Sequence, residues 1–328
     1  MNDDTTRRAV LGLLASAAAV ATAGCGARRD VARKDVVFAT QKNGVPFLAQ
    51  ARGAFERDLA ARGIGPVRWV EFASGPPLME ALRAGAVDLG LVGDTPVVYA
   101  QAAGTDFYAV AAQRFPGLVG SGLVVPAGSA ARTLRQLKGK RVAYTKGSTA
   151  EFILAHALDA AGLGLKDVVP ANLTPGDAQT ALANGSIDAW LTWDPYLTLA
   201  QARGGARAIP LPPSDIDTVS YYVASGAFVR ERPDVLRATL DGLRREAAWG
   251  NANRGYYIDR VAAATRLPPP VLQAMLDRYR DFLFAVDPVT PAIVANEQKV
   301  ADYLAGSGVI PHKVDVAKVA WTQWSPAT

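Results

Sequence analysis

Two stretches decide the fold: ALRAGAVDLGLVGDTP at residues 81–96 and ALANGSIDAWLTWDP at residues 181–195, one hundred positions apart. Ala81, Leu82, Gly85, Asp88, Leu91 and Asp94 recur as Ala181, Leu182, Gly185, Asp188, Leu191 and Asp194, and Pro96 is answered by Pro195. Each copy predicts one unit. A helix end stops at a glycine suited to the left-handed cap, a Val-Asp or Ile-Asp turn feeds a buried strand, and an Asp and then a Pro open the next helix. Solenoid units recur every few tens of residues, so this spacing is too long for one. The echo predicts two similar α/β lobes, each presenting a helix N-terminus at the carboxyl end of a strand, where open α/β sheets bind ligands.

Working outward, strand and helix patterns alternate from Asp35. Residues 36–40, 67–72, 89–92 and 107–112 read as strands, with a helix over 46–61. A second round follows Leu123-Val124-Val125-Pro126: strands at 141–144, 168–173 and 189–192, and helices at 149–161, 177–183 and 195–202. Such alternation predicts a largely parallel sheet. Residues 221–224 read as a returning strand, and beyond them the chain turns helical, with Leu236, Leu240, Leu243 and Ala247 on one face. The predicted architecture is an α/β clamp: lobe I from 35–119 and 225–328, lobe II from 120–224, and two hinge crossings near Gly120 and Ala224.

The chain has 328 residues, 50% hydrophobic and 20% charged, which suits one large or two medium domains. Its net charge of +5 comes from scattered Lys and Arg rather than a basic stripe with interleaved aromatics, which argues against nucleic acid. A positive field favours small anions. Residues 1–24 read as an export signal: Thr6-Arg7-Arg8 precedes an apolar run over 9–21 that is too short for a membrane span. The paired arginines fit twin-arginine export, and the general secretory route stays open because the Phe and Lys often found after such a pair are missing. Ala23-Gly24-Cys25 is similar to the end of a bacterial lipobox, and Cys25 is the only cysteine. That position predicts a lipid-anchored N-terminus followed by a tether over 25–34; ordinary cleavage after Ala23 is the competing reading.

Helix starts carry the functional signal. Asn43-Gly44-Val45-Pro46, Ser74-Gly75-Pro76, Asp94-Thr95-Pro96, Lys146-Gly147-Ser148-Thr149 and Trp193-Asp194-Pro195 each place free backbone N–H groups at a strand end. Several such N-termini aimed into one cleft make a site for a small oxyanion, because amide donors and helix dipoles replace its water. Asp94 and Asp194 read as caps that could also line the cleft, and Ser148 and Thr149 as caps or ligand hydroxyls. Trp190 reads as a core residue of its strand, and Trp193, at the strand end, as a wall of the cleft. Glu151 has two readings: the far end of a capping box with Ser148, or a cleft acceptor for a cationic group, which would select a zwitterion. The two histidines, His156 and His312, stand far apart, and no zinc-type cluster, nucleophile elbow or phosphate loop is present. Binding is therefore expected rather than catalysis, with no metal or cofactor.

These motifs together resemble the periplasmic aliphatic-sulfonate-binding proteins of ABC importers, within a broader family that includes taurine- and nitrate-binding proteins. The resemblance rests on Gln41-Lys42, Glu71-Phe72-Ala73-Ser74-Gly75-Pro76, Gly93-Asp94-Thr95-Pro96 with Ala100-Gln101-Ala102-Ala103-Gly104, Leu137-Lys138-Gly139-Lys140, Lys146-Gly147-Ser148, Trp193-Asp194-Pro195-Tyr196 and the Ile310-Pro311 to Trp321 ending. It implies a two-lobed clamp of the type II periplasmic-binding-protein kind that captures a sulfonate-like anion and delivers it to membrane permease subunits in sulfur acquisition. It implies an exported protein, periplasmic or anchored as a lipoprotein. It assigns Gln41, Ser74, Gly75, Asp94, Thr95, Ser148, Thr149, Trp193, Asp194 and Tyr222 to the cleft. Ala39-Thr40 stands where the family often has Gly-Tyr, and Thr149-Ala150-Glu151 where it has an Asn-Val-His type of start. Taurine, nitrate or another small anion or zwitterion is the alternative ligand. Enzymes of the same fold in pyrimidine-precursor or menaquinone synthesis are the alternative class, and the export signal argues against them.

Overall fold

The protein is described by a computed structural model covering residues 35–280 and 283–326. Cys25, the export signal and the tether lie outside the described residues. Ten strands are present among the described residues: β1 (Val36–Thr40), β2 (Val67–Glu71), β3 (Leu89–Gly93), β4 (Phe107–Phe115), β5 (Ser121–Val125), β6 (Arg141–Tyr144), β7 (Val169–Asn172), β8 (Ala189–Trp193), β9 (Arg207–Ile209) and β10 (Thr218–Ser225). They form two five-stranded sheets, ordered β2-β1-β3-β10-β4 and β7-β6-β8-β5-β9. Helices flank both sheets, so the chain has the α/β clamp architecture read from its sequence.

The echoed segments hold equivalent places, since β3 and β8 are the central strands of their sheets. The preceding helices, Gly75–Arg83 and Pro175–Ala183, run out toward Gly85 and Gly185, whose φ angles of 71° and 76° lie in the left-handed region that favours glycine. The repeated aspartate has a structural cause. The Asp88 N–H donates to Val37 O and its Oδ2 accepts from Val37 N–H, both at 2.8 Å. Asp188 treats Arg141 the same way, at 2.8 and 2.7 Å. In each lobe this side chain pins the start of the neighbouring strand, which sets the register of the central pair.

Two sequence expectations are corrected. The sheets are mixed rather than largely parallel: β10 runs antiparallel to β3 and β4, and β5 antiparallel to β8 and β9. Moreover, β10 belongs to the first sheet. The chain therefore returns from the second sheet between Ile209 and Thr218, not near Ala224, because residues 218–225 already make their ladder bonds with β3 and β4. The chain passes from the first sheet to the second between Phe115 and Ser121. The two crossings are tied together: Thr218 N–H donates to Gly117 O at 2.9 Å and Gly117 N–H to Asp217 Oδ1 at 2.8 Å. Asn296 holds both backbone groups of Asp217, at 3.0 and 2.8 Å.

Asn296 lies on the helix Pro291–Gly306, which begins with Pro at its first position and a Thr290 cap that accepts from Ile293 N–H at 3.3 Å. Val300, Ala301 and Leu304 of this helix join one apolar cluster with Phe152, Ile153 and Leu154 of the helix Thr149–Ala160. The C-terminal segment thus packs on the core of the second sheet as well as the first. Ile293 of the same helix lies in the cluster formed by Val37, Val92 and Ala109 of the first sheet, so this helix ties the cores of the two sheets together.

Candidate ligand-binding site

A pocket opens where the carboxyl ends of β3 and β8 approach. Gln41, Asn43, Gly75, Gly93, Pro96 and the first three residues of β10 line it from the first sheet; Ser121, Ser148, Thr149, Ala150, Trp193 and Asp194 line it from the second. Phe115, Val119, Gly120 and Tyr279 complete the wall. The helices Gly44–Arg52, Gly75–Arg83, Asp94–Ala102 and Thr149–Ala160 all begin at this wall. Among the described residues, no lysine, arginine or histidine lines it. Positive potential there comes from first-turn amides and helix dipoles, while Phe115, Val119, Pro96 and Trp193 supply apolar surface.

The two sheets touch at Thr149. Its hydroxyl donates to Asp94 Oδ1 at 2.7 Å, and that oxygen also accepts from Thr95 N–H at 2.5 Å and Thr95 Oγ1 at 2.9 Å. Asp94 is fully buried, and burial raises its carboxyl above the ordinary carboxylate range while these donors oppose the rise. It stands inside the first turn of its helix rather than at the N-cap, which is Gly93. Gly93 permits the close approach, because a Cβ there would meet Thr149 Oγ1 at 2.2 Å. Ser148 caps its helix: its Oγ accepts from Ala150 N–H at 3.2 Å and donates to Thr145 O at 2.6 Å. The Gln41 side chain is held by its Nε2 donating to Leu91 O at 2.9 Å.

Asp194 is organised differently. Its Oδ1 accepts from Thr198 N–H at 3.2 Å and Thr198 Oγ1 at 2.6 Å, so it caps the helix Tyr196–Gly204 from two positions ahead. Arg278 Nη2 donates to Asp194 Oδ1 and Oδ2 at 2.9 and 2.7 Å and to Thr198 Oγ1 at 2.6 Å. Tyr279 OH approaches Oδ2 at 3.4 Å. The acid at the pocket wall thus has its own counter-ion, brought by the helix Pro269–Tyr279.

Of the residues predicted from sequence, Gln41, Gly75, Ser148, Thr149, Trp193 and Asp194 come together at the wall. Asp94 and Thr95 sit just behind it. Ser74 is buried at the N-cap of the Gly75 helix, and its side chain makes no cap bond. Tyr222 does not reach the pocket: it is fully buried, with its OH on Ala285 O at 3.2 Å. The cause is strand direction. Because β10 is antiparallel, its cleft end is its start, and Ser220 lines the wall where Tyr222 was expected. Glu151 also points elsewhere, its Oε2 accepting from Gly147 N–H and from Tyr99 OH, both at 2.7 Å. It reaches one residue further back than a capping box and bridges to the opposite sheet. Arg278 and Tyr279 carry no sequence signal for the site, since they come from a helical segment without a motif.

Residues 36–262 match the model of the NMT1-like family. Over 255 residues the chain is 34% identical to an Escherichia coli (strain K12) protein named for binding aliphatic sulfonates, covering 78% of this chain and 79% of that one. A Bacillus subtilis (strain 168) protein of the same name is 32% identical over 303 residues, 90% of each chain. The solved structure of the alkanesulfonate-binding protein SsuA from Xanthomonas axonopodis pv. citri, bound to MOPS, superposes with a TM-score of 0.80 at 30% identity, covering 88% of this chain and 98% of that one. On the strength of the matched family model and of this identity carried over most of each relative's length, the chain belongs to the NMT1-like family, together with these aliphatic-sulfonates-binding proteins.

Proposed function

We propose that this protein is the extracytoplasmic solute-binding component of an ABC importer, capturing a sulfonate-like anion between its two lobes and handing it to a permease for sulfur acquisition. The observation that carries the reading is the convergence of helix N-termini from both sheets on one pocket with, among the described residues, no cationic side chain in its wall. A sulfonate has three acceptor oxygens and no proton to donate, so backbone amides and hydroxyls suffice for it. The apolar part of the wall suits an organic tail. Glu151, already engaged by Gly147 and Tyr99, is not free to receive an ammonium, which favours a plain sulfonate over an aminosulfonate. Export with a lipid on Cys25 belongs to the same reading, supported by the Ala23-Gly24-Cys25 pattern.

Calorimetry with butanesulfonate, taurine, sulfate and nitrate tests the ligand. Butanesulfonate should bind tightest and be recovered unchanged. Equal affinity for sulfate would remove the role of the organic tail, and conversion of the sulfonate would point to an enzyme. Solution scattering should show compaction on saturation, since a ligand touching both lobes selects their closed arrangement.

A further inference from the structure

Behind the pocket lies a second group of acids that the capture mechanism above does not use. Glu297, on the Pro291 helix, is fully buried, and neither of its carboxyl oxygens has a hydrogen-bond partner within the protein. Asp94 Oδ2 is likewise buried and unpartnered, as is the hydroxyl of Tyr221, which lies beside Glu297 without closing a well-formed bond. Asp94 and Glu297 are close enough for the charge of one to act on the other.

Among the described residues no compensating cation pairs with these acids. The Asp94 helix brings Asp94 itself, β10 brings Tyr221 and the Val219 N–H, and the helix starting at Thr149 brings the Thr149 hydroxyl, its Glu151 being taken by Tyr99 and Gly147 and its His156 lying against Tyr303 further along the Pro291 helix. Lys318, on the C-terminal turn packed against the Pro291 helix, is exposed. Among the described residues no basic side chain forms an ion pair with either carboxyl. Two ionised carboxylates cannot share such a place, because like charges and desolvation both favour a retained proton. The Asp94 oxygen that accepts three donors is Oδ1, so the unpartnered Oδ2 is the oxygen left to carry a proton.

We propose that Asp94 and Glu297 form a proton-holding pair coupled to the anion pocket, with Glu297 a positioning residue that keeps the proton on the pair behind Thr149. The proposal rests on the reading of the pocket as an anion site. Thr149 links the two directly, being part of the pocket wall and hydrogen-bonded to Asp94. An anion in the pocket favours the protonated pair, and by reciprocity the protonated pair favours the anion. Sulfonate capture should therefore weaken as pH rises through the range where the pair lets go of its proton. The limit for one linked proton is about tenfold per pH unit.

The test is calorimetry of the full chain with butanesulfonate across pH, in buffers of different ionisation heat, on wild type and Glu297→Gln. Wild type should lose affinity on the alkaline side and take up protons on binding. In Glu297→Gln the neighbouring negative charge is gone, so Asp94 ionises more readily and the fall in affinity moves to lower pH. A flat wild-type profile, or superimposable profiles for the two proteins, would overturn the proposal. Infrared spectroscopy of the ligand-free wild type gives a readout independent of the variant and of the ligand. A protonated-carboxyl band should be present at neutral pH, and its absence overturns the pair. If butanesulfonate binds at no pH while that band is present, the anion reading has failed rather than the pair.

Discussion

Replacing Arg278 by Met removes the guanidinium while keeping much of the side-chain stem, and so leaves Asp194 at the pocket wall without its counter-ion. Breaking a buried ion pair by deleting one partner costs about 3–5 kcal/mol. Two features reduce that here. The Arg278 side chain is 38% exposed against 3% for Asp194, so water reaches the vacated side, and Thr198 still donates twice to Asp194 Oδ1. We expect about 2 kcal/mol of lost folding stability, within the range for one charge-assisted hydrogen bond. Butanesulfonate should bind roughly tenfold more weakly, a loss of about 1.4 kcal/mol, because an unbalanced carboxylate now faces the anion. The second variant is Asp194→Asn, and the third combines the two. Removing both charges should recover most of the affinity, with a coupling energy of about 2 kcal/mol in the cycle. Urea unfolding and calorimetry measure the two effects. If Arg278→Met leaves both unchanged, or if the double variant binds worse than Arg278→Met alone, the counter-ion argument is wrong.

Four further outcomes are expected. Gly93→Ala drives a Cβ into Thr149 Oγ1, and by analogy with overpacked cores should cost about 1–3 kcal/mol and weaken capture by parting the sheets at the Thr149–Asp94 contact; denaturant midpoints and calorimetry check it. Glu151→Gln should weaken butanesulfonate and taurine alike, by about 1–2 kcal/mol, through the Tyr99 bridge; a loss confined to taurine would restore the zwitterion reading. Burial holds the Glu297 carboxyl well above its ordinary value, so the folded protein keeps a proton that the unfolded chain has released. Stability should then be intact below the ordinary carboxylate range and decline as pH rises toward the raised value, and Glu297→Gln should flatten that decline in melting experiments. Cys25→Ala should release the mature protein from membranes in fractionation; a mature mass starting at Gly24 without lipid would contradict anchoring.

The echo at residues 81–96 and 181–195 could be read because it is local: a left-handed glycine, a short buried strand and a proline near a helix start are all encoded within a few residues. The reason for its aspartates could not, since Asp88 and Asp188 act on Val37 and Arg141 some fifty positions away. The same limit explains the misplaced return. Residues 221–224 announce a buried strand, but which sheet accepts it, and in which direction, depends on pairing with β3 and β4. Direction then decided the site, putting Ser220 at the wall and Tyr222 in the core. Arg278 is the extreme case, because its role exists only once the Pro269 helix docks beside the Tyr196 helix.

An anion site that carries an aspartate at its wall and another just behind it is a contradiction unless both charges are dealt with, and the two lobes deal with theirs by different means. Asp194 is kept ionic and balanced, with Arg278 and Thr198 spending its lone pairs on the side away from the ligand. Asp94 is buried without any cation, among donors that fill one oxygen and an acid neighbour that opposes ionisation of the other. The asymmetry has a consequence for recognition. The first arrangement, an ion pair with a partly exposed Arg278, is sensitive to salt and to loss of that arginine. The second is indifferent to salt, because it is sealed from solvent, but sensitive to pH, because burial and a like-charged neighbour oppose ionisation. A single ligand contacting both lobes would therefore report two separable electrostatic responses, and comparing the salt dependence of Arg278→Met with the pH dependence of Glu297→Gln would assign each response to its lobe.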